Sequence, residues 1–395
     1  MRLSTLDSLR AQIAPVAAIT VFGLSIAMSY PLLALLLERM GASGFWIGVN
    51  TTAAAISMVV FAPILPRIMA RTGLSALMLG SGLALAVIMI GYAVWANFAW
   101  WTALRILYGF CATALFFTSE FWIVAAAPAG ARGRVVAAYT IALSLSFMTG
   151  PLLVNLTGID GVLPFAVASL VVLAGLVPIV WGLKAMPGST PEVPPSPRAT
   201  LRFFVTDPGI LWAVVLFGLI EYGAVALLPV WAVRSGLSET QAIWLLASFA
   251  AGSVLSAPFI GAVADRADRR LLLVVVATVA MVAPVAMALV PGFAGALFCG
   301  VLWGAAAVGL YTLPLVELGA RYAGHRLAEG NGAVILAYGL GALLSPSLLG
   351  AAMDAVPPNG LLWLTALVTL GYLGLILHRR RHARRKLDSA ASLSQ

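Results

Sequence analysis

The sequence predicts an all-α membrane protein, with twelve transmembrane helices arranged as two pseudo-symmetric six-helix bundles. Three observations carry this. Of 395 residues, 62% are hydrophobic and only 9% charged, against roughly 45–50% apolar and about 25% charged in a soluble domain. At a mean hydropathy of +1.03, a 41.1 kDa chain has too little polar surface to face water on all sides. Continuous apolar runs of about 20 residues, the length that crosses the hydrocarbon, recur twelve times, and residues of the first half meet like residues of the second at a constant offset of 195.

The first run, 13–37, is too long for a signal-peptide core, and no small-residue cleavage site separates it from the second run, so it reads as a retained helix. Runs at 45–69, 74–96, 98–127, 134–157 and 162–183 complete the first half. None alternates polar with apolar, which excludes an outer-membrane barrel. Pro187, Pro191, Pro194, Pro195 and Pro197 then crowd a segment that reads as an extended linker. Thr206-Asp207-Pro208 has the form of a helix start, with a capping side chain and proline in the first turn. The second half carries runs at 209–233, 240–264, 271–291, 293–319, 329–353 and 359–378. The expected organisation is therefore an N-terminal bundle over 1–185, a cytoplasmic Pro-rich linker over 186–208, a C-terminal bundle over 209–378 and a basic cytoplasmic tail over 379–395. Short loops leave no room for a soluble domain.

Charge placement orients the chain. With the N-terminus inside, twenty of the 23 Lys and Arg fall in inner segments, Arg39 and Arg234 lie outside, and Arg105 lies within the fourth run. Cytoplasmic loops hold the excess of basic residues in membrane proteins, so both termini are expected in the cytoplasm of a bacterial inner membrane. The net charge of +9 has the same origin and does not point to nucleic acid. The tail from His378 to Lys386 can bind anionic lipid or simply pin the last helix. Cys111 and Cys299 sit in apolar runs, and His325, His378 and His382 lie in basic loops or the tail, so no disulfide framework, metal site, haem or other cofactor is suggested.

The offset of 195 pairs Arg39 with Arg234, Gly41 with Gly236, Pro63 with Pro258, Arg71 with Arg266, Gly109 with Gly304 and Pro151 with Pro346. Several are turn or kink residues whose backbone geometry a duplicated fold must keep. Duplicated halves of this kind place a ligand near the midplane between them and work by rocking one half against the other. In the second half, Gly261-Ala262-Val263-Ala264-Asp265-Arg266-Ala267-Asp268-Arg269-Arg270 resembles the loop signature G-x-x-x-D-R-x-G-R-[KR] of the major facilitator superfamily, departing at Asp268. In the first half the same slots read Pro66, Ala70, Arg71, Gly73 and Ser75, so the acid is missing. Arg105-x-x-x-Gly109 matches the superfamily's fourth-helix pattern, and Ser119-Glu120-Phe121-Trp122 followed by Arg132-Gly133-Arg134 is similar to its YcaD-like branch. The resemblance implies the major facilitator fold, no enzymatic activity and a cytoplasmic gate built from Asp265, Arg266, Arg269, Glu317 and Arg71. The loop residues read equally as anchors for helix ends.

Four ionisable groups lie within spans, where each costs roughly 2.5–3.5 kcal/mol or more and marks function unless paired. Glu221 sits at the centre of the seventh run. It is the candidate proton carrier, since a desolvated carboxyl can load and release a proton near neutral pH; the other reading is a neutral Glu bonded to a neighbouring helix. Arg105, about two turns from the outer end of the fourth run, is expected to hold a carboxylate from another helix or to attract an anionic substrate. Glu120 and Glu317 lie nearer the cytoplasm. Glu317 reads as a gate residue, and Glu120 as either gate or transport site, with Arg71, Arg132 and Arg134 as available partners. Tyr30, Tyr108, Tyr222 and Tyr311, with Trp122, Trp303, Asn50 and Asn331, can complete a cavity for an amphiphilic or partly aromatic cargo.

The fifth-run segment from Ser146 to Asn155 keeps only the central Gly150-Pro151 of the superfamily's antiporter pattern, and a helix kink accounts for that. With no G-x-x-x-x-G-K-[ST] loop for ATP, concentrating power must come from an ion gradient. The expectation is a monomeric, proton-coupled secondary transporter of a small organic solute working by alternating access, with efflux among its directions. A lipid or amphiphile flippase, or a transporter-like sensor with the same fold, is the alternative. An integral-membrane enzyme would need a clustered nucleophile and base, which no span supplies.

Overall fold

A computed structural model describes residues 5–61, 64–126, 132–186, 197–264, 266–290, 292–322 and 324–393. Among them every long element is helical, as lipid requires of a backbone that must satisfy its own hydrogen bonds. The first half comprises α1 (Thr5–Arg39), α2 (Gly44–Phe61), α3 (Leu65–Thr72), α4 (Leu74–Val94), α5 (Phe98–Ala126), α6 (Arg132–Thr157) and α7 (Leu163–Gly182). A short α8 (Pro197–Thr206) precedes the second: α9 (Pro208–Arg234), α10 (Glu239–Ala264), α11 (Arg269–Leu289), α12 (Phe293–Arg321), α13 (Gly324–Ala355) and α14 (Gly360–Leu393).

Twelve of these helices are long and apolar enough to span. Two expectations need correction. The run 45–69 divides, with α2 ending at Phe61 and α3 starting at Leu65, because Pro63 and Pro66 cannot supply the backbone donors of a continuous helix. The linker is not wholly extended, since its C-terminal part forms α8, whose Phe203 is buried against α9 and α13 residues such as Leu211 and Val334. The basic tail is helical, as a continuation of α14 to Leu393.

The duplication is visible in geometry. Gly41 and Gly236, 195 apart, follow α1 and α9 with φ of 77° and 88°, a left-handed conformation that a side chain disfavours. Gly109 on α5 faces the backbone oxygen of Ala54 on α2, and Gly304 on α12 faces that of Phe249 on α10. Ala54 and Phe249 are themselves 195 apart, so one helix-on-helix contact has been kept in both halves. Side chains such as Val87, Val177, Phe259 and Leu367 are exposed on the outside of the bundle, as expected where the surrounding solvent is lipid. α1 and α9 are the most enclosed spans and α6 the least. The halves meet through α1 with α9, α2 with α13 and α6 with α10. An even number of crossings returns the chain to its starting side, the termini face; the opposite side is the far face.

Candidate functional site

The site is built in three layers along the seam between the halves. At the far face, Arg39 and Arg234 are the last residues of α1 and α9, and each grips an acid from the opposite half with two parallel bonds. Arg234 Nε and Nη2 donate to the two carboxylate oxygens of Glu38, both at 2.8 Å, and Arg39 Nε and Nη2 donate to Glu239. The remaining Nη1 of each turns to its own half, Arg39 to Asp160 and Arg234 to Asp354. Asp354 also accepts the amides of Gly44 and Phe45 at 2.7 and 2.8 Å, capping α2 from the other half. Bidentate, charge-assisted pairs of this kind are the stronger class of hydrogen bond. Arg234 and Glu38 are each only 19% exposed, so solvent screens them less than the pair between Arg39 and Asp160, at 41% and 82%. Below them α2 and α13 are in backbone contact at Gly44 with Gly350 and at Gly48 with Pro346, and Thr52 Oγ1 lies 3.0 Å from Ser347 Oγ. Charge counting reads Arg39 and Arg234 only as orientation markers; their shared repeat position and the neighbouring Glu38 were the signal for more.

The middle layer is aromatic. Arg105 is fully buried on α5, and no carboxylate pairs with it among the described residues. Its guanidinium instead donates to Ser29 Oγ and Ser29 O at 3.1 and 3.0 Å and to Asn50 Oδ1 at 3.4 Å. It stacks 4.2 Å from the Tyr30 ring centroid, with the rings of Tyr108 and Tyr92 at 5.4 and 5.8 Å. The expected acid partner is thus replaced by neutral acceptors and ring faces, which stabilise a cation through the ring quadrupole. Asn50 does not line a cavity as expected; it is buried, donates to Thr102 Oγ1 at 3.0 Å and helps to seat Arg105.

From Tyr30 the rings continue across the seam. Tyr30 meets Tyr222 edge-on at 6.1 Å, and Tyr222 meets Tyr338 at 5.9 Å. Tyr338 stacks on Phe217 at 5.6 Å and lies 6.4 Å from Tyr311. Glu221 stands 13 residues from each end of α9, is partly exposed, and accepts a 2.8 Å hydrogen bond from the Tyr338 hydroxyl. Tight glycine packing fixes this pair. Gly218 faces Tyr338 O, Gly341 faces Val215 O, and Ser345 Oγ donates to Leu219 O. Tyr338 has no repeat or motif signal and was missed in the sequence. A recess lined by Tyr30, Tyr108, Gly109, Thr113 and Tyr222 lies against these rings. Trp122 and Trp303 are instead sealed in the cores of their own halves.

Toward the termini face, Glu120 lies two turns along α5 from Thr113. It is exposed, has no ion pair or hydrogen bond among the described residues, and does not meet Arg71, which is also exposed. The side chains of Arg132 and Arg134 lie outside the described residues. Asn331 is exposed, two turns along α13 from Tyr338. The expected gate set is brought together only in part. Arg269 Nη1 lies 3.7 Å from Glu317 Oε2, Arg266 is exposed and unpaired among the described residues, and Asp265 lies outside the described residues. Asp207 makes no cap bond to α9. Its carboxylate instead accepts from Arg321 at 2.8 Å and from the Tyr322 hydroxyl at 2.6 Å, and Arg321 also donates to Glu317. This cluster stays within the second half, so between described residues the ion pairs that join the halves all lie at the far face.

Two six-helix halves, joined by ion pairs at one face and enclosing ionisable groups at the membrane centre, are the architecture of a solute transporter. A family model described as Major Facilitator Superfamily matches residues 16–325 and 232–394, and the chain belongs to that superfamily, whose members are transporters rather than enzymes. It is 25% identical over 372 residues to the uncharacterized MFS-type transporter YfkF of Bacillus subtilis, covering 92% of this chain and 94% of that one. It is 27% identical over 305 residues to the uncharacterized MFS-type transporter YcaD of Escherichia fergusonii, covering 76% and 78%. These relatives bear out the YcaD-like resemblance. Among solved structures, a bacterial homolog of the human lysosomal transporter Spinster, in an inward-facing and occupied conformation, aligns with a TM-score of 0.77 at 13% identity, covering 96% of this chain and 98% of that one. The nucleoside transporter NupG, as its D323A mutant, aligns at 0.72 and 12%, covering 94% and 98%.

Proposed function

We propose that this protein is a proton-coupled secondary transporter that moves a small organic solute by alternating access, with Glu221 as the proton carrier. One observation carries the reading: a carboxyl at the midpoint of an enclosed span, partly exposed and held, among the described residues, by one hydroxyl donor. Such a group costs several kcal/mol to keep charged in lipid, so exchange of a proton there is strongly coupled to whether the seam admits water. The bundles 1–185 and 209–378 are the bodies that rock, and 186–208 is the linker between them. The termini face is cytoplasmic, in a bacterial inner membrane, and the monomer is the working unit. The paired Arg39 and Arg234 form the external gate, closed in this state, while Arg266, Arg269, Glu317 and Asp265, with Arg71 facing them, form the internal one when the halves tilt back.

Glu221→Gln, reconstituted in proteoliposomes, is expected to abolish pH-driven movement of solute while leaving the thermal melting temperature within a few degrees. Undiminished pH-driven transport in that variant would remove Glu221 from the role. Sidedness has its own test. A cysteine at Arg39 or Asp160 should react with an impermeant thiol reagent from outside whole cells and one at Arg132 should not; the opposite pattern reverses the topology.

A further inference from the structure

The short helix α8 closes the linker, and its two sides have different surroundings. Phe203 is buried in the second half with Leu211 of α9 and Val334 of α13, and Asp207, just past the helix end, is held by Arg321 and the Tyr322 hydroxyl. These two contacts fix which way α8 faces. Its other side is apolar and exposed. Val205 is 80% exposed and Leu201 55%, and with Phe204 they stand at i, i+3 and i+4, one stripe of a helix. Phe204 meets Trp212 of α9 edge-on, with ring centroids 6.3 Å apart. Arg202 borders the stripe, is exposed, and pairs with no carboxylate among the described residues. The helix carries two arginines and no acid.

The stripe runs on into surface that lipid covers. Trp212 is exposed, and it stands four residues into α9, about 6 Å from its start, the level at which tryptophan collects in a bilayer. Nine residues, or about two and a half turns, separate Trp212 from Glu221, so the two lie on opposite sides of α9. Near Trp212, the Gly209 carbonyl accepts the hydroxyl of Tyr372 on α14, and α14 itself exposes Leu367 and Leu370. We propose that α8 is a membrane-surface helix, with Leu201, Phe204 and Val205 seated among the acyl chains at the termini face and Arg202 holding the phosphate of an anionic phospholipid. This goes beyond the transport reading and holds whatever solute the protein moves. An apolar stripe bordered by arginine is the pattern that binds an anionic bilayer surface, and the long arginine stem lets the guanidinium stay at phosphate level above the stripe. A soluble partner would have to cover Val205 beside a tryptophan that already meets lipid. Because α8 ends at Asp207, the same seat anchors the second-half end of the linker to the bilayer.

The test places an environment-sensitive maleimide dye on Val205→Cys in the full chain, reconstituted in nanodiscs of phosphatidylcholine with one third phosphatidylglycerol. Cys111 and Cys299 are buried, so the added surface thiol takes the dye, and Ala267→Cys in the exposed loop after α10 is the water-facing reference. Acrylamide, a neutral quencher, is expected to quench the dye at position 205 at least fivefold less than the dye at 267. A lipid nitroxide near the headgroup end of the acyl chain should quench 205 and spare 267. Carried at equal mole fraction on either headgroup, that nitroxide should quench 205 about fivefold more from phosphatidylglycerol than from phosphatidylcholine, the ratio that one arginine at an anionic surface supplies, and Arg202→Gln should lower the ratio about fivefold. Acrylamide quenching at 205 equal to that at 267, with no quenching by either lipid, overturns the membrane seat in a protein that remains monodisperse. Equal quenching by the two headgroups, or a ratio unmoved by Arg202→Gln, overturns the anionic lipid site. Both faces of a nanodisc are open and no solute is used, so neither outcome depends on transport or on which face is cytoplasmic.

Discussion

Among the described residues the hydroxyl of Tyr338 is the one donor to Glu221, at 2.8 Å, and its ring is held by Phe217 and Tyr222 whether or not the hydroxyl is present. Removing only that oxygen therefore separates proton handling from packing. A hydrogen bond to a charged group contributes about 1.5–3 kcal/mol, so Tyr338→Phe should slow pH-driven transport about tenfold or more in proteoliposomes with little loss of melting temperature. A variant that transports at the normal rate would show that Glu221 works without it. At this scale the sequence was informative about rarity and silent about partners. Glu221 and Arg105 stood out because charges are rare within spans, but the neutral cage around Arg105 is assembled from α1, α2, α4 and α5, and no spacing along one helix encodes it.

The helices owe their close approach to small residues rather than to a hydrophobic drive, since lipid tails are as apolar as the side chains they would replace. Gly109 and Gly304 occupy the same place in the two halves, each against a backbone oxygen of the neighbouring helix, with Ser57 and Ser253 hydroxyls donating nearby to Ile106 O and Gly304 O. Gly304→Val should force α10 and α12 apart. Overpacking typically costs 1–3 kcal/mol, and a melting temperature lowered by several degrees in detergent is the expected result; an unchanged value would mean that the contact is looser than the geometry shows. The twelve spans were legible from length and hydropathy because the bilayer thickness dictates both. The break after α2 lay in the sequence at Pro63 and Pro66 but was hidden by the hydropathy of the run, whereas the small helix α8 and the role of Asp207 were not legible, because each depends on a neighbour. Asp207 is drawn from its own helix start to Arg321 and Tyr322 of α12 and the residue beyond it, and Asp207 in turn holds the Tyr322 phenol above its ordinary range.

For the molecule as a whole, the feature that stands out among the described residues is the pairing of the halves at the far face. Ion pairs between described residues of the two halves occur at the far face alone. The Arg234 guanidinium holds Glu38 and Asp354 together, and losing a charge-assisted pair worth about 1.5–3 kcal/mol should shift the balance between closed and open at that face by roughly tenfold or more. In Arg234→Gln, a cysteine at Thr52, which lies under the pair against Ser347, should react with an impermeant reagent from the far side about ten times faster than in the parent background. An equal rate would show that the backbone contacts of α2 and α13 alone close that face.

What the sequence determined by itself was the membrane environment, the count of spans, the duplication and the superfamily, because composition, hydrophobic length and a constant offset are properties of the chain read in one dimension. Glu221 was legible too, since a carboxyl in the middle of an apolar run stands out without any partner. The tertiary structure alone decided which charges meet. Glu38 and Arg234 are 196 residues apart and Arg39 and Glu239 are 200 apart, and they pair because the duplicated halves face each other about an axis that brings the end of one first helix beside acids of the other half. The same folding seals Arg105 behind rings from three helices and sets Glu221 against the Tyr338 hydroxyl of another, so residues that cost similar amounts to bury are divided by their surroundings.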